Sequence, residues 1–190
     1  MRTITFDIET ANWLGEGRTE PSDLQIAIVC THDSVTGEYD SFLESQLPRL
    51  WKILEETDVL VGYNSDHFDI PLLNKYYPGD LTKIKSIDLM AEIYATLGRR
   101  MRLDAVADGT LGKKKSGHGG QSLVWWRNGE VEKVRKYCIK DVELTKDLYE
   151  YALKNGALKY RELGAVRDIK IDTSKWLASG GGAMTYTLGF

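Results

Sequence analysis

The chain has 190 residues, with 28 Asp plus Glu against 25 Lys plus Arg and a formal net charge of −3, a length that suits one domain or one domain with a small appendage. With 42% hydrophobic and 10% aromatic residues it can build a core, which excludes a disordered chain, and no apolar run nears the roughly 20 residues of a membrane helix. The mild acidity also weighs against a protein that coats nucleic acid through bulk positive charge.

In chain order, the opening MRTITFDIET has acids where a secretory leader would carry small residues before a cleavage site. Within it, Thr3 to Ile8 alternates and is rich in β-formers, reading as a strand. A polar loop with Gly and Pro, Asn12 to Ser22, separates it from Leu24 to Thr31, continuously apolar like a strand buried on both faces. A Thr36-Gly37 turn leads into Glu38 to Leu43, and the three segments read as an antiparallel meander. Leu47, Leu50, Trp51 and Leu54 recur at spacings of three and four, predicting a helix. Asp58 to Tyr63 reads as a short buried strand, Asp69 to Tyr77 as a short helix and Lys85 to Asp88 as a further strand. Met90, Ile93 and Leu97 mark the next helix, and this alternation predicts an α/β sheet.

Leu103 to Leu111 is helix-like, and a basic, glycine-rich loop follows it. Val131 to Leu153 reads as one long amphipathic helix, apolar at Val131, Val134, Cys138, Val142, Tyr149 and Ala152 and stopped by Asn155-Gly156. Leu158 to Glu162 and Asp168 to Ile171 are β-like, and a tail runs through Gly180-Gly181-Gly182 to Phe190. The expected division is a main domain over 1–156 and an extension, a hairpin with a tail, over 157–190. Cys30 and Cys138 have no neighbouring Cys or His at zinc spacing, so buried thiols in a reducing, cytoplasmic setting are expected, without a disulfide framework or zinc finger.

Asp7 and Glu9 lie two apart on the first strand, so both point to one face and can share a divalent cation. Asn64-Ser65-Asp66-His67-Phe68-Asp69 follows the DVLVGY strand, at the strand end where α/β sheets place ligands. Asp69, before Ile70-Pro71, reads equally as a helix N-cap. Tyr137 and Asp141, four apart, share a helical face beside Leu144 and Leu148; alone they read equally as a partly buried Tyr next to a surface Asp. Together, Asp7, Glu9, Asp69 and Asp141 suit two Mg²⁺ or Mn²⁺ ions, because hard oxygen donors match these cations and an unneutralised cluster would repel itself. Two ions roughly 3.5–4 Å apart stabilise both oxygens of an in-line phosphoryl displacement.

Between Arg99 and His118 the cations Arg99, Arg100, Arg102, Lys113, Lys114 and Lys115 face only Asp104 and Asp108. This stretch reads as a surface that tracks a phosphate backbone, with Lys113 and Lys114 as substrate contacts, or as a solvated loop. Gly117, Gly119 and Gly120 fit either closure on substrate or a flexible linker. Trp13, Trp125, Trp126 and Tyr63 are candidates for base stacking, Trp13 the best placed, with at least one of Trp125 and Trp126 expected in the core. His32, His67 and His118 show no ligand spacing.

Phe6-Asp7-Ile8-Glu9-Thr10, the Asn64 to Asp69 segment and Tyr137-Cys138-Ile139-Lys140-Asp141 resemble, in order and spacing over about residues 1–155, the motifs of the DEDD superfamily of 3′–5′ exonucleases. That superfamily has the ribonuclease-H-like fold. Lys136 stands where the other branch has its His, so the resemblance is to the Tyr branch, and Leu103 to Lys115 resembles exonuclease domains related to family B polymerases. The resemblance implies a mixed sheet, its first three strands antiparallel and later ones parallel, flanked by helices. It implies that Asp7, Glu9 and Asp141 hold the ion that activates the attacking water. Asp7 would bridge to a second ion near the leaving 3′-oxygen, with Asp69 ligating directly or through water. Tyr137 would orient water and phosphate; a phenol of ordinary pKa near 10 is a poor base at neutral pH. Thr10, Asn64 and Phe68 would line the terminal-nucleotide pocket. The implied activity is release of nucleoside 5′-monophosphates from a single-stranded or frayed 3′ end, DNA favoured, with a helicase or polymerase as candidate partner. A processing exoribonuclease and a nucleic-acid-binding module without catalysis are the alternatives.

Overall fold

The computed structural model describes residues 1–15, 17–113 and 120–177. Lys114, Lys115, Gly117, His118, Gly119 and the tail with its Gly180-Gly181-Gly182 run lie outside the described residues. Five strands, β1 (Thr3–Thr10), β2 (Ile26–Asp33), β3 (Tyr39–Leu43), β4 (Val59–Gly62) and β5 (Lys85–Asp88), form one sheet in the order β3-β2-β1-β4-β5. β1, β2 and β3 pair antiparallel, and β4 and β5 continue parallel to β1, which is the expected mixed α/β sheet. Every residue of β2 is buried, as its continuous apolar run requires.

Alternation along β1 sends Ile4, Phe6 and Ile8 to one face, where they meet α1 (Leu47–Leu54) and α2 (Asp69–Asn74) through Leu47, Leu50, Leu54, Ile70, Leu72 and Leu73. Each fully buried leucine there stabilises the fold by about 1.5–3 kcal/mol. The opposite face of the sheet, toward which Asp7 and Glu9 point, is covered by the long α6 (Val131–Asn155). Val134, Cys138 and Val142 of α6 pack on Ile28 and Cys30. Its later turns share a second core, Leu148, Tyr149 and Ala152 with Val59, Val61 and Ile87, together with α3 (Leu89–Leu97) and α4 (Leu103–Leu111). α6 runs two residues past the expected Leu153 and stops where Gly156 takes φ 62°.

Other elements differ from the sequence expectation as well. A short helix α5 (Gln121–Arg127) precedes α6, and the helix beginning at Asp69 ends at Asn74, before Tyr77. Past α6, β6 (Ala157–Glu162) and β7 (Ala165–Lys170) pair as an antiparallel hairpin, and β7 begins three residues before the expected Asp168. Leu158, Tyr160, Ile169 and Ile171 join the second core. Gly109 permits the contact: a Cβ there would stand 2.4 Å from Tyr160 Cα. Beside it the Thr110 hydroxyl donates to Lys159 O at 2.7 Å and accepts from Lys159 N at 2.8 Å.

Candidate active site

β1 lies at the centre of the sheet, and α6 crosses it with the Cys138 thiol donating to Asp7 O at 3.4 Å. That contact sets Tyr137 and Asp141, both buried, over the strand end bearing Asp7 and Glu9. One carboxylate oxygen each from Asp7, Glu9 and Asp141 lies within 4.8 Å of the others. Three carboxylates this close repel unless a cation or protons sit among them, and hard oxygens are the donors Mg²⁺ and Mn²⁺ take. The residues present therefore fit a divalent ion.

Asp69 stands one step aside from these three. It is the first helical residue of α2, whose N-cap position is taken by Phe68, so the N-cap alternative does not describe it. Its Oδ1 instead accepts the backbone N–H of Ile8, between Asp7 and Glu9, at 3.1 Å. Burial first, and then the Asp7 charge, push the Asp69 carboxyl well above the usual carboxylate range.

The loop that delivers Asp69 is tightly folded. A Cβ on Gly62 would lie 2.3 Å from Ser65 Cβ, so only glycine lets the chain double back. Asn64 takes φ 66°, a left-handed conformation that asparagine tolerates better than most residues. Its backbone N–H donates to Asp88 at 2.7 Å, and that of Asp66 donates to the same carboxylate at 3.1 Å. Asp88 also caps α3 through Met90 N and Ala91 N. Burial raises the Asp88 pKa against the pull of these N–H donors. Asp88 was not singled out from the sequence; the available signal was an acid at a strand–helix junction, an N-cap signature. The loop and α3 border a cavity of about 390 Å³ lined by Asn64, Asp66, His67, Asp88, Tyr94 and Arg100.

The remaining expected site residues are placed as follows. Thr10 donates its hydroxyl to Asn12 O at 2.8 Å, and Phe68 is half-buried against the first core. Trp125 and Tyr137 meet edge to face, centroids 5.9 Å apart, and Trp125 packs with Trp126 along α6. Trp13 stays 44% exposed. Tyr63 donates its hydroxyl to Met101 O at 2.8 Å and, half-buried, packs on the second core. His32 is buried against Tyr39.

In the basic stretch, Arg99 pairs with Glu162, Arg102 with Asp104, and Lys113 with Asp147 at 2.6 Å. Asp147 is six residues past Asp141, about 9 Å further along α6, so the structure does not bring Lys113 to the carboxylates. Arg100 makes no ion pair among the described residues and lines the cavity.

The fold and site define an α/β domain with an acidic cluster at the C-terminal end of its central strand. A family model of the RNase_H superfamily matches residues 4–153; the chain belongs to this superfamily, and that membership supports a nuclease. Among solved structures it is similar to a family B DNA polymerase from the hyperthermophilic archaeon Pyrobaculum calidifontis, with a TM-score of 0.62 and 21% identity. The match covers 80% of this chain and 24% of the polymerase, and the likeness is one of fold. No curated protein sequence matches the chain.

Proposed function

We propose that the chain is a metal-dependent 3′–5′ exonuclease of the DEDD Tyr branch, hydrolysing nucleotides from single-stranded or frayed 3′ ends of DNA. The observation that carries this reading is the convergence of Asp7, Glu9 and Asp141 oxygens within 4.8 Å, with Tyr137 one turn before Asp141 on α6. A divalent ion among those oxygens supplies Lewis-acid stabilisation of phosphoryl charge and a water of lowered pKa; Asp69, beside Asp7, suits a second ion. Tyr137, braced by the Trp125 ring, orients the attacking water and the scissile phosphate through its hydroxyl. Asn64 and Phe68 hold the terminal nucleotide on the loop that Asp88 anchors. Similarity to a DNA polymerase favours DNA over RNA as substrate.

The test is degradation of single-stranded DNA and RNA, labelled at either end, with and without Mg²⁺ or Mn²⁺. The expected result is metal-dependent shortening from the 3′ end, DNA faster than RNA. Asp7→Ala and Asp141→Ala abolish it, and Tyr137→Phe lowers kcat about 10- to 100-fold. Shortening from the 5′ end, or activity that survives both Asp changes, refutes the mechanism.

A further inference from the structure

The short helix α5 joins two aromatic rings at the edge of the acidic cluster. Toward the cluster, Trp125 meets Tyr137 edge to face. Toward solvent, the Arg127 guanidinium lies 5.3 Å from the centroid of the Trp13 ring. Trp13 sits in the loop that leaves β1 just past Glu9, and Arg18 Nε fixes that loop by donating to Trp13 O at 2.9 Å. Despite this support the ring is 44% exposed, and Leu14 and Val124 are each 45% exposed. Arg127 is exposed and, unlike Arg99, Arg102 and Lys113, makes no ion pair among the described residues. An open indole with an uncommitted cation over it therefore stands beside a floor of carboxylates.

We propose that Trp13 and Arg127 form a landing platform for the unpaired strand that leads into the site. Trp13 stacks a base upstream of the scissile phosphate, and Arg127 takes a backbone phosphate. The inference rests on the nuclease reading above. Single-stranded nucleic acid fits the platform on physical grounds. Every base has a π-face, so stacking on one indole tolerates any sequence, whereas a duplex keeps those faces inside. The carboxylates repel a polyanion, so a cation at the rim supplies attraction where the floor supplies none. This surface differs from the Asn64 and Phe68 contacts, which lie on another loop.

The test measures binding without hydrolysis: fluorescence anisotropy of a labelled oligothymidine of about twelve nucleotides in EDTA. Trp13→Ala weakens binding about tenfold and Trp13→Phe retains most of it. Arg127→Ala weakens binding and reduces the slope of log K against log salt by about 0.7. In turnover with Mg²⁺, the Trp13→Ala defect falls mainly on KM. Circular dichroism and the Trp13→Phe variant separate lost stacking from lost folding. Wild-type affinity in Trp13→Ala overturns the platform, and so does an equal loss for a blunt duplex. Trp13-dependent strand binding without hydrolysis under any metal supports the platform and sinks the exonuclease reading. Hydrolysis with unaltered binding by Trp13→Ala does the reverse.

Discussion

Replacing Glu9 by Gln should stabilise the metal-free protein and blunt its response to divalent ions. The carboxylate oxygens of Asp7, Glu9 and Asp141 lie within 4.8 Å of one another, so removing the Glu9 charge deletes two repulsive pairs. At that separation one pair costs about 0.9 kcal/mol in water and about 3.5 kcal/mol at an effective dielectric of 20. Asp7 and Glu9 are half-exposed and salt screens them, so the lower figure governs: about 1 kcal/mol per pair and about 2 kcal/mol in all. For a domain of this size that raises Tm by about 4–8 °C. Excess Mg²⁺ or Mn²⁺ does the opposite work: at a hundred times Kd it stabilises the wild type by about 2.7 kcal/mol. Glu9→Gln, with a charged ligand removed, gains far less. Scanning calorimetry should therefore show the order of melting reversed between EDTA and metal. A variant that melts below wild type in EDTA, or gains as much from metal, refutes the idea of repelling carboxylates that share a cation.

Gly109→Ala should cost about 3 kcal/mol, because the added methyl meets the Tyr160 backbone at 2.4 Å and backbone cannot swing aside; an unchanged urea midpoint would mean that the hairpin docks loosely. Burial pushes the Asp33 carboxyl up, but the Arg2 guanidinium at 2.6 Å and the Val35 N–H bring it below the usual range. A depressed folded pKa stabilises above the unfolded value near 3.9, and that stability is lost as pH falls through the lower folded value. Asp33→Asn should thus lose about 2 kcal/mol at neutral pH, a gap that closes in urea titrations below about pH 4; a gap of constant size contradicts the pairing. Asp88→Ala strands the N–H groups of Asn64, Asp66, Met90 and Ala91 and should lose about 2 kcal/mol together with kcat. Full activity on DNA would show that the loop holds itself.

Features with a local cause were legible in the sequence. β2 announces burial on both faces by an unbroken apolar run, Asp7 and Glu9 share a face by strand parity, and Leu103 to Leu111 carries its own periodicity. What the sequence did not show depended on partners distant in the chain. The cations from Arg99 to Lys113 look uncommitted beside their neighbours, yet Glu162 and Asp147 take two of them. Tyr63, a stacking candidate at the end of a buried strand, shows its hydrogen-bond partner only when Met101 O arrives over its hydroxyl. Asp88 acquires its role from a loop 24 residues earlier. Helix α5 is too short to show periodicity, and Trp125 declares its purpose only against Tyr137. Cys30 and Cys138, remote in sequence, meet in one buried cluster because β2 and α6 share a face.

The bond from Ile8 N to Asp69 fills a gap in the sheet. β1 pairs with β4 only from Thr3 to Thr5, while its partnership with β2 continues past Glu9. Beyond the last rung on the β4 side, a side-chain carboxylate accepts the N–H that a longer β4 would have taken. The fourth acid is thus also a piece of surrogate strand, holding the spacing between Asp7 and Glu9 from outside the ladder. The Ile8 N–H therefore sits in the middle of the site, on a carboxylate whose charge a nearby cation would draw on. Its proton exchange rate, compared in EDTA and in metal, should register occupancy of the carboxylates without a label.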